Sequence, residues 1–498
     1  MNYPVWQLGF PGGVLIAVIA VLHVFVSHFA VGGGAYLVIT EQRAWRRQDP
    51  DLMAYVKRHA KFFALLTLVF GAISGVGIWF VIGLVSPEAT SSLIHTFVWG
   101  WAIEWVFFFV EIAAALIYAY QWDRLERRTH LVIGWIYFVA AWASMVVING
   151  IITFMLTPGR WLQTKNFWDG FLNPTYLPSL VTRMAMATAL AGIFGLVTAL
   201  RLNSPLRERL VRWAGSWLAL GIVLLSPLAW WYYSDFPAAA HVYVGGLIPM
   251  AHNAATLGMI SAFVGLLCAL VFAVLLPRAM NAGIVALLLI CGLATMGSGE
   301  YLREFSRKPF VIGGYIYAND VRTSEIERIN TLGIAQVSPW VTAPDGDPIR
   351  YGQTVFKFQC GACHSLDGYR AMRTRVRGWD AQFATEMLAH LPLTRGTMPP
   401  FAGNEQDRRA LGAYLATLAP ATITAANEME LGRQVFQMRC ALCHSLRGNR
   451  RPLNFSGVDA DAIADLTRNL PDMNDNMPPF TGSEPERHAL AVYLRDAK

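Results

Sequence analysis

The chain has 498 residues, of which 55% are hydrophobic and only 15% are charged, and its mean hydropathy is +0.39. These values are typical of a membrane protein and exclude a chain that is soluble or disordered along its whole length. The formal net charge of +7 is not a sign of a nucleic-acid partner, because most basic residues lie in short loops between apolar segments. Apolar runs stop near Gly299, so we expect a membrane domain followed by a soluble part.

Eight apolar segments are long enough to cross a bilayer as helices. They are predicted at about residues 11–40, 62–86, 93–121, 131–157, 178–200, 211–232, 250–277 and 280–299. Basic residues concentrate in the loops after the first, third and fifth segments, which the positive-inside rule assigns to the cytoplasm. Because eight is an even number, both the N-terminus and the soluble C-terminal part are expected in the periplasm, at a bacterial inner membrane.

Two acids, Glu104 and Glu111, lie inside the third apolar segment, within the stretch GWAIEWVFFFVE. Seven residues are two turns of a helix, so the two carboxyl groups share one face about 10 Å apart along the axis. A carboxylate in the hydrocarbon region costs several kcal/mol, so such residues normally face a protein interior, a metal or a proton path. The alternative is that both acids are tied into neighbouring helices for structure.

Other chemistry-bearing residues of the predicted spans fall mostly in the outer half of the bilayer, by the topology above. We expect them to form a cluster of haem ligands and proton carriers, although a single histidine between helices is more often only hydrogen-bonded. The first helix does not present both of its histidines to one metal, because positions five apart point about 140° away from each other. The residues are His23, His28, His95, Arg183 with Met184, Met250, His252, Glu300 and Glu304.

A series of segments stands in a recognisable order in residues 1–320: LHVFVSHFAVGGGAYLVITE, KFFALLTLVFGAISGVGIWF, AIEWVFFFVE with the later WDRL, ING, and EFSRKPFVIG after the eighth span. Together these segments resemble subunit I of cytochrome bd oxidase. The resemblance implies that His23 is an axial ligand at a catalytic haem pair. It also implies that Glu104 and Glu111 serve haem ligation and proton delivery, and that Glu304 supports the same haem pair.

The sequence departs from the family in three places. The two acids of the third helix are seven residues apart, whereas the family spaces them by eight. The histidine that binds the low-spin haem b in the family's fifth helix has no counterpart around 182–184, so Met250 or His252 is an alternative haem ligand. The outer loop between spans six and seven, which binds quinol in the family, is reduced to SDFPAAAHVYVGGLIP, so the usual quinol entrance is predicted to be lost.

The soluble part contains an internal repeat with an offset of about 80 residues. The segment GQTVFKFQCGACHSLDG matches GRQVFQMRCALCHSLRG, and MPPFAGNEQDRRALGAYLATL matches MPPFTGSEPERHALAVYLRDA. We therefore expect two copies of one module, at residues 348–420 and 427–498, after a linker at 321–347 that includes PWVTAPDGD. The terminal helix of each copy resembles that of class I cytochrome c.

Each copy carries the C-x-x-C-H motif of covalent haem c attachment. A redox dithiol or half a zinc site is the alternative interpretation of C-x-x-C, but both copies also have the trailing histidine and a later Met-Pro-Pro. The histidine and the methionine are predicted as the two axial ligands, and Met473 competes with Met477 in the second copy. The predicted sets are Cys360, Cys363, His364 and Met398, and Cys440, Cys443, His444 and Met477.

These observations predict an all-α protein with an eight-helix membrane bundle and two small cytochrome c domains. The first functional hypothesis is a respiratory oxidoreductase, in which the dihaem cytochrome c part exchanges electrons with a bd-like haem site that reduces O2, or NO. The second is an electron-transfer module that oxidises quinol and passes electrons through its c haems to a periplasmic partner, without substrate chemistry of its own.

Both hypotheses require two covalent haem c groups and one or more haem b or d groups in the membrane domain. Expected partners are a second membrane subunit, a periplasmic electron-transfer protein or the quinone pool, and a small acceptor such as O2, with no nucleic acid. The remaining cysteines, Cys268 and Cys291, lie singly in apolar spans and are expected to serve packing.

Overall fold

The computed structural model describes residues 5–6, 8–202, 205–342, 346–418, 425–446 and 451–496, with the backbone alone at Arg395. Among the described residues, the only strands are a pair of two and three residues, so the prediction of an all-α protein is confirmed. The chain packs as two compact units. One comprises Ile16–Gly83 and Thr90–Arg307, and the other comprises Met1–Leu15, Leu84–Ala89 and Lys308–Lys498.

Eight helices of the described chain are long and apolar enough to span a membrane, as predicted. The shortest has 23 residues, which at 1.5 Å per residue exceeds the roughly 30 Å hydrocarbon core. They are α1 Gly12–Arg46, α2 Pro50–Val85, α3 Val98–Tyr120, α4 Arg127–Phe154, α5 Tyr176–Ala199, α6 Pro205–Ser234, α7 Pro249–Leu275 and α8 Ala282–Phe305. Short helices lie between them at Pro87–Thr96, Trp161–Thr164, Phe167–Phe171, Ala238–Leu247 and Pro277–Ala279.

Small residues let the central helices of the bundle approach closely. Helix α5 is the most enclosed, with 72% of its most apolar window buried. A Cβ atom at Gly192 on α5 would overlap the backbone of Leu218 on α6, and one at Gly221 on α6 would overlap the backbone of Ala189 on α5. Such contacts between small residues are the usual means by which membrane helices pack. Lipid tails are as apolar as the side chains, so helices that leave lipid for each other gain no hydrophobic free energy and associate through close packing.

Helix α2 is not regular along its length. Its turn at Leu65–Gly71 widens into a π-helix before the α-helix resumes at Ala72. Widened turns of this kind occur frequently at functional sites, because they change the direction of the side chains that follow. Here the residue that follows is Ser74, whose contact with the first helix is described below.

The segment after α8 is held by a buried aspartate. Asp320 accepts hydrogen bonds from the Ser86 hydroxyl at 2.6 Å and from the backbone N–H groups of Glu88 at 3.0 Å and Ala89 at 3.4 Å. Burial raises the pKa of this carboxyl to about 6. The hairpin strands Phe310–Ile312 and Ile316–Tyr317 lie just before it, followed by short helices at Thr323–Glu325, Ile326–Leu332 and Ile334–Val337.

Part of the expected linker packs onto the first soluble module. Ile329 and Ile334 are buried in the module's hydrophobic core, and the Ile334 N–H donates to Asp407 at 2.9 Å. Of the stretch Pro339–Asp347, residues 343–345 lie outside the described part of the chain.

Two similar helical modules follow. The first has α9 Pro348–Gln359, α10 Ala381–Ala389 and α11 Glu405–Leu418, and the second has α12 Glu428–Val435, α13 Ala460–Arg468 and α14 Glu484–Asp496. Shorter helices lie at Met372–Arg375, Leu391–Arg395, Phe436–Cys440 and Leu470–Met473.

The first and last helices of each module cross at a glycine. A Cβ atom at Gly352 would overlap the backbone of Ala410, and one at Gly432 would overlap the backbone of Ala489. One turn further along, Phe356 packs on Tyr414 and Phe436 packs on Tyr493, with ring centroids 5.8 Å apart in both modules. The repeat seen in the sequence therefore reproduces one packing arrangement twice.

Candidate haem and proton-transfer sites

The cysteine motifs follow a widened last turn of the first helix of each module. The N–H groups of Cys360 and Gly361 both donate to the Phe356 carbonyl, at 2.8 and 3.0 Å, and the N–H of Ala441 donates to the Phe436 carbonyl at 2.9 Å. This ending turns the motif off the helix axis at the same point in both copies. Burial raises the pKa of the Cys360 and Cys440 thiols to about 12, which is unlike the lowered pKa of a redox dithiol.

The motif histidines are oriented by a backbone carbonyl. His364 Nδ1 lies 3.2 Å from the Arg370 carbonyl, and His444 Nδ1 lies 3.1 Å from the Arg451 carbonyl. A carbonyl can only accept, so each Nδ1 carries the hydrogen and Nε2 keeps the lone pair that binds iron. Burial lowers the pKa of His364 to about 4, which favours the neutral ligand form. The donor set therefore fits a haem c group.

Sequence reasoning missed these carbonyl partners. Arg370 and Arg451 both have positive φ, 57° and 32°, which is uncommon for residues other than glycine. An arginine does not by itself indicate a positive φ. The sequence showed only that an arginine recurs six or seven residues after each motif histidine.

The methionine predicted for the second module lies in a better position than its competitor. Met473 ends a short helix with its side chain 55% exposed. Met477 is partly buried, and its N–H closes a turn onto the Asn474 carbonyl at 2.8 Å. An axial ligand must be shielded from water, so the burial favours Met477.

The two modules meet beside the second cysteine motif. Arg439, directly before Cys440, donates to Asp380 of the first module at 3.0 Å and to Thr481 at 2.6 Å, and Thr481 also donates to Asp380 at 2.7 Å. The Trp379 indole donates to the Met438 carbonyl at 3.1 Å. In the first module the equivalent of Arg439 is Gln359, which donates to the Ala402 carbonyl at 2.6 Å.

In the membrane unit, His23 of α1 contacts Ser74 of α2, with Nδ1 and Oγ 3.1 Å apart. The Ser74 hydroxyl has one hydrogen, and the Phe70 carbonyl lies 2.7 Å from Oγ and receives it. The hydroxyl oxygen must therefore accept from His23 Nδ1–H, which leaves the lone pair of the ring on Nε2. This is the tautomer that a haem iron requires.

The two acids of α3 share one face, as predicted, and that face is turned towards α4. Glu104 accepts from the Ser144 hydroxyl at 2.9 Å, and Glu111 lies 3.2 Å from the Tyr137 hydroxyl. The Tyr137 hydroxyl also lies 3.0 Å from the Ala30 carbonyl, so one hydrogen serves two acceptors.

A group of polar side chains around Glu41 continues the row of polar contacts between α3 and α4. This group was not predicted from the sequence. Glu41 of α1 is fully buried and accepts from the Tyr118 hydroxyl at 2.7 Å, from Arg127 at 2.8 Å and from His130 Nδ1 at 2.8 Å. The other His130 nitrogen, Nε2, lies 2.9 Å from the Tyr118 carbonyl. The sequence does contain a sign of this arrangement, because residues 104, 111 and 118 of α3 and residues 130, 137 and 144 of α4 are each spaced by seven.

A separate group contains three further candidates. Glu300 of α8 accepts from Arg183 of α5 at 2.8 Å and from Arg303 at 2.8 Å. Arg183 Nη1 lies 3.4 Å from His28 Nε2, and His28 Nδ1 donates to the Val24 carbonyl at 2.8 Å. These contacts thus place the residues described so far in three separate groups, around His23, along α3 and α4, and around Glu300.

The remaining candidates lie elsewhere. His95 and His252 are exposed, and their Nδ1 atoms bond locally to the carbonyls of Ser91 at 2.8 Å and Val244 at 3.1 Å. Met184 and Met250 are 39% and 46% exposed, and Glu304 pairs with Arg307. Cys268 and Cys291 are buried, as expected for packing residues.

No three His, Cys, Asp or Glu side chains of the described chain are grouped so that they could hold a bare metal ion. Haem iron needs only one or two protein ligands, so single histidines on separate elements suit haem better than a bare metal. Together with the fold, these sites define the class of the protein. In the described chain, eight helices could span a membrane, and the C-terminal part consists of two helical modules that each carry a C-x-x-C-H motif.

Comparisons with known proteins show which families the membrane part and the C-terminal modules are similar to. Residues 14–236 match the family model of cytochrome bd terminal oxidase subunit I, and residues 347–415 and 427–494 match that of cytochrome c oxidase, cbb3-type, subunit III. The bd oxidase of Geobacillus thermodenitrificans has a similar fold, with a TM-score of 0.53 at 16% identity over 61% of this chain and 88% of that chain. No curated protein sequence gives a significant match.

The chain is therefore a respiratory haem electron-transfer protein, with a membrane domain like bd oxidase subunit I followed by cytochrome c domains. Both resemblances stated from the sequence are confirmed.

Proposed function

We propose that the protein is a terminal oxidoreductase of the inner membrane. Its two c-type modules, in the periplasm, accept electrons from a periplasmic donor and pass them to a haem b or d site in the membrane domain. That site reduces O2, with NO as the alternative acceptor. Residues 1–320 form the membrane domain, and residues 348–420 and 427–498 hold one haem c each.

One observation carries this proposal, namely the polar line along α3 and α4. It pairs Glu104 with Ser144 and Glu111 with Tyr137, and then reaches the group around Glu41. Fourteen residues of helix separate its two ends, which is about 21 Å at 1.5 Å per residue. Glu41 lies beside the basic loop after α1, which the positive-inside rule assigns to the cytoplasm. A reaction that consumes protons needs such a line, whereas a module that only oxidises quinol towards the periplasm does not.

The residues of the line suit stepwise proton movement. The Tyr137 hydroxyl can turn between Glu111 and the Ala30 carbonyl, so the hydrogen bond to Glu111 can form and break without moving the backbone. A narrow cavity of about 10 Å³ separates Tyr137 from Tyr118. Protons would pass from Glu41 through Glu111 to Glu104 at the far end.

His23 of α1 would hold the membrane haem. Ser74 fixes the His23 ring with Nε2 as the free lone pair, which is the position that an iron ligand needs. When bound, the haem iron supplies one-electron transfer and the coordination position at which O2 is reduced. In the modules, His364 with Met398 and His444 with Met477 would provide the axial pairs.

A second function remains a candidate because His23 and Glu104 contact different neighbours, Ser74 and Ser144. The described contacts therefore do not join the two residues at one haem site, which the oxidase would need. In that case the membrane domain oxidises quinol at a rearranged site, and the c modules carry electrons to a periplasmic acceptor. Exposed apolar side chains on α2 and α3 would be covered by lipid and a second membrane subunit under either function. They include Ile73, Val76, Trp99, Trp105 and Phe109, each at least 62% exposed.

The deciding experiment measures haem content and oxygen uptake on the purified full-length protein. We expect haem b or d besides haem c in the pyridine haemochrome spectrum, a CO difference spectrum of high-spin haem, and oxygen consumption with reduced cytochrome c as donor. Low-spin haem b alone, with no CO binding and no oxygen uptake, would overturn the oxidase and establish the relay.

A further inference from the structure

Two arginines of the membrane unit share a single buried carboxylate. Arg183 is 9% exposed and donates from Nη2 to Glu300 Oε1 at 2.8 Å. Arg303 donates from Nε to Glu300 Oε2 at 2.8 Å. Both oxygens of Glu300 are thus engaged by guanidinium groups, from α5 and from α8 itself.

The donors of this group outnumber its acceptors. Arg183 Nη1 reaches the His28 ring, whose Nε2 must accept because Nδ1 donates to the Val24 carbonyl. Two further buried donor atoms, Arg183 Nε and Arg303 Nη1, have no hydrogen-bond partner in the part of the chain that the structure describes. An orphaned buried donor on a charged group is costly, so each of these atoms calls for an acceptor.

The charge also does not balance. Arginine stays protonated in proteins, so Arg183 and Arg303 contribute two positive charges against one negative charge on Glu300. The neighbouring pair of Arg307 with Glu304 is neutral as a unit. An uncompensated charge within membrane-spanning helices costs several kcal/mol, which an anion held by the free donors would offset.

We propose that Arg183 and Arg303 form a binding site for a carboxylate, and that its occupant is a propionate of the membrane-domain haem. A guanidinium fork matches a carboxylate, and the two orphaned donors come from two different arginines. His23, the proposed iron ligand, lies five residues before His28 on α1, about 7.5 Å along the axis. His28 then orients Arg183 and is not an iron ligand. The inference rests on the proposed function, because it requires a haem in this unit.

The experiment uses the purified full-length protein, grown so that its haem propionates carry carbon-13. Redox-induced infrared difference spectra are compared for the wild type, Arg183→Gln, Arg303→Gln and the charge-retaining Arg183→Lys. The matched control is Arg209→Gln, which removes an exposed arginine paired with Asp49 on the same unit. Circular dichroism and gel filtration show which variants are folded, and thermal unfolding of the wild type is followed against chloride concentration.

We expect the labelled carboxylate band to shift in Arg183→Gln and Arg303→Gln, to shift less in Arg183→Lys, and to stay unchanged in Arg209→Gln. Chloride should leave the wild-type unfolding temperature unchanged. A stabilisation by chloride that disappears in Arg183→Gln, with an unmoved label, would mean that a free small anion is bound and would overturn the inference.

An unmoved label without any chloride effect would overturn it as well, in favour of an ion cluster without ligand. If neither glutamine variant folds, the Arg183→Lys spectrum decides alone, and an unmoved label there counts against the inference. Failure of the proposed function is distinguishable, because the wild type would then lack haem b or d in the haemochrome spectrum.

Discussion

At the scale of single residues, the three histidines proposed as iron ligands are held in the same way. His364 and His444 give their Nδ1 hydrogen to a backbone carbonyl, and His23 gives it to the Ser74 hydroxyl. In each case the ring is oriented and Nε2 is left as the base. Partners of this kind tune a metal ligand, so their loss typically weakens binding about 10–100-fold.

The first prediction concerns His23 and its partner. His23→Ala should remove high-spin haem b while both c haems stay, and Ser74→Ala should lower haem b occupancy because the ring is no longer oriented. The measurement is the ratio of haem b to haem c in pyridine haemochrome spectra. Ser27→Ala is the matched control, since the Ser27 hydroxyl donates to the Val24 carbonyl of its own helix and not to the His23 ring. An unchanged ratio in both His23→Ala and Ser74→Ala would show that this contact is structural.

The second prediction separates the two methionines of the second module. Met477→Ala should remove the sulfur–iron charge-transfer band of one haem c and lower its potential, because His/Met ligation raises the potential. Met473→Ala should leave both unchanged, since that side chain is largely exposed. Optical redox titration gives both quantities. The opposite pattern would transfer the ligand role to Met473.

At the scale of secondary-structure elements, helices α3 and α4 face each other through polar pairs at one spacing. Glu104 with Ser144, Glu111 with Tyr137 and Tyr118 with His130 repeat every seven residues on both helices. Two turns of helix separate successive pairs, so these polar groups stay on the facing sides of the two helices.

A third prediction follows from that line. Glu111→Gln should slow oxygen uptake more than it changes haem content, because it removes a proton carrier in the middle of the line. Glu104→Gln should stop turnover or weaken haem binding. Oxygen-electrode rates and haem ratios measured on the same preparations distinguish the two effects. Full activity of Glu111→Gln would exclude the line as a proton route.

The junction between the soluble modules gives the fourth prediction. Arg439 is 8% exposed at its side chain and joins Asp380, Thr481 and the rings of Phe383 and Phe480. Arg439→Met should destabilise the second module by about 1–3 kcal/mol, because Asp380 loses its charged partner. It should also change the potential of the second haem c, which is bound at the adjacent cysteine.

Chemical unfolding followed at the haem absorption measures the stability, and redox titration measures the potential. Arg468→Met is the control, because its pairs with Asp465 and Glu484 are exposed and contribute little. A double-mutant cycle with Asp380→Asn isolates the pair. Zero coupling energy together with an unchanged potential would show that the junction is incidental.

At the scale of the whole molecule, the eight helices of the described chain that are long and apolar enough to cross a membrane would place both ends of the chain on one side if each of them crosses it. The basic loops predict that this side is the periplasm, where haem c is attached. The fifth prediction is that alkaline phosphatase fused after Lys498 is active, whereas the same fusion after Ala199, at the end of α5, is inactive. The reverse pattern would place the modules in the cytoplasm and contradict the proposed direction of electron flow.

The sequence alone determined the parts of this protein that depend on local or repeated patterns. Apolar length is a property of each segment, so the eight spans could be counted from hydropathy. The cysteine motifs and the repeat were visible because covalent haem attachment requires neighbouring residues. The shared face of Glu104 and Glu111 followed from helix periodicity alone.

Only the tertiary structure decided which side chains meet across helices. Glu41 was overlooked because its partners, Tyr118, Arg127 and His130, are 77 to 89 residues away in the chain. The grouping of His28 with Arg183 and Glu300 likewise depends on how α1, α5 and α8 pack. Hydropathy and spacing report the depth and the face of a residue on its own helix. The neighbouring helix that this face meets is set by close packing of small residues, and that information is not local.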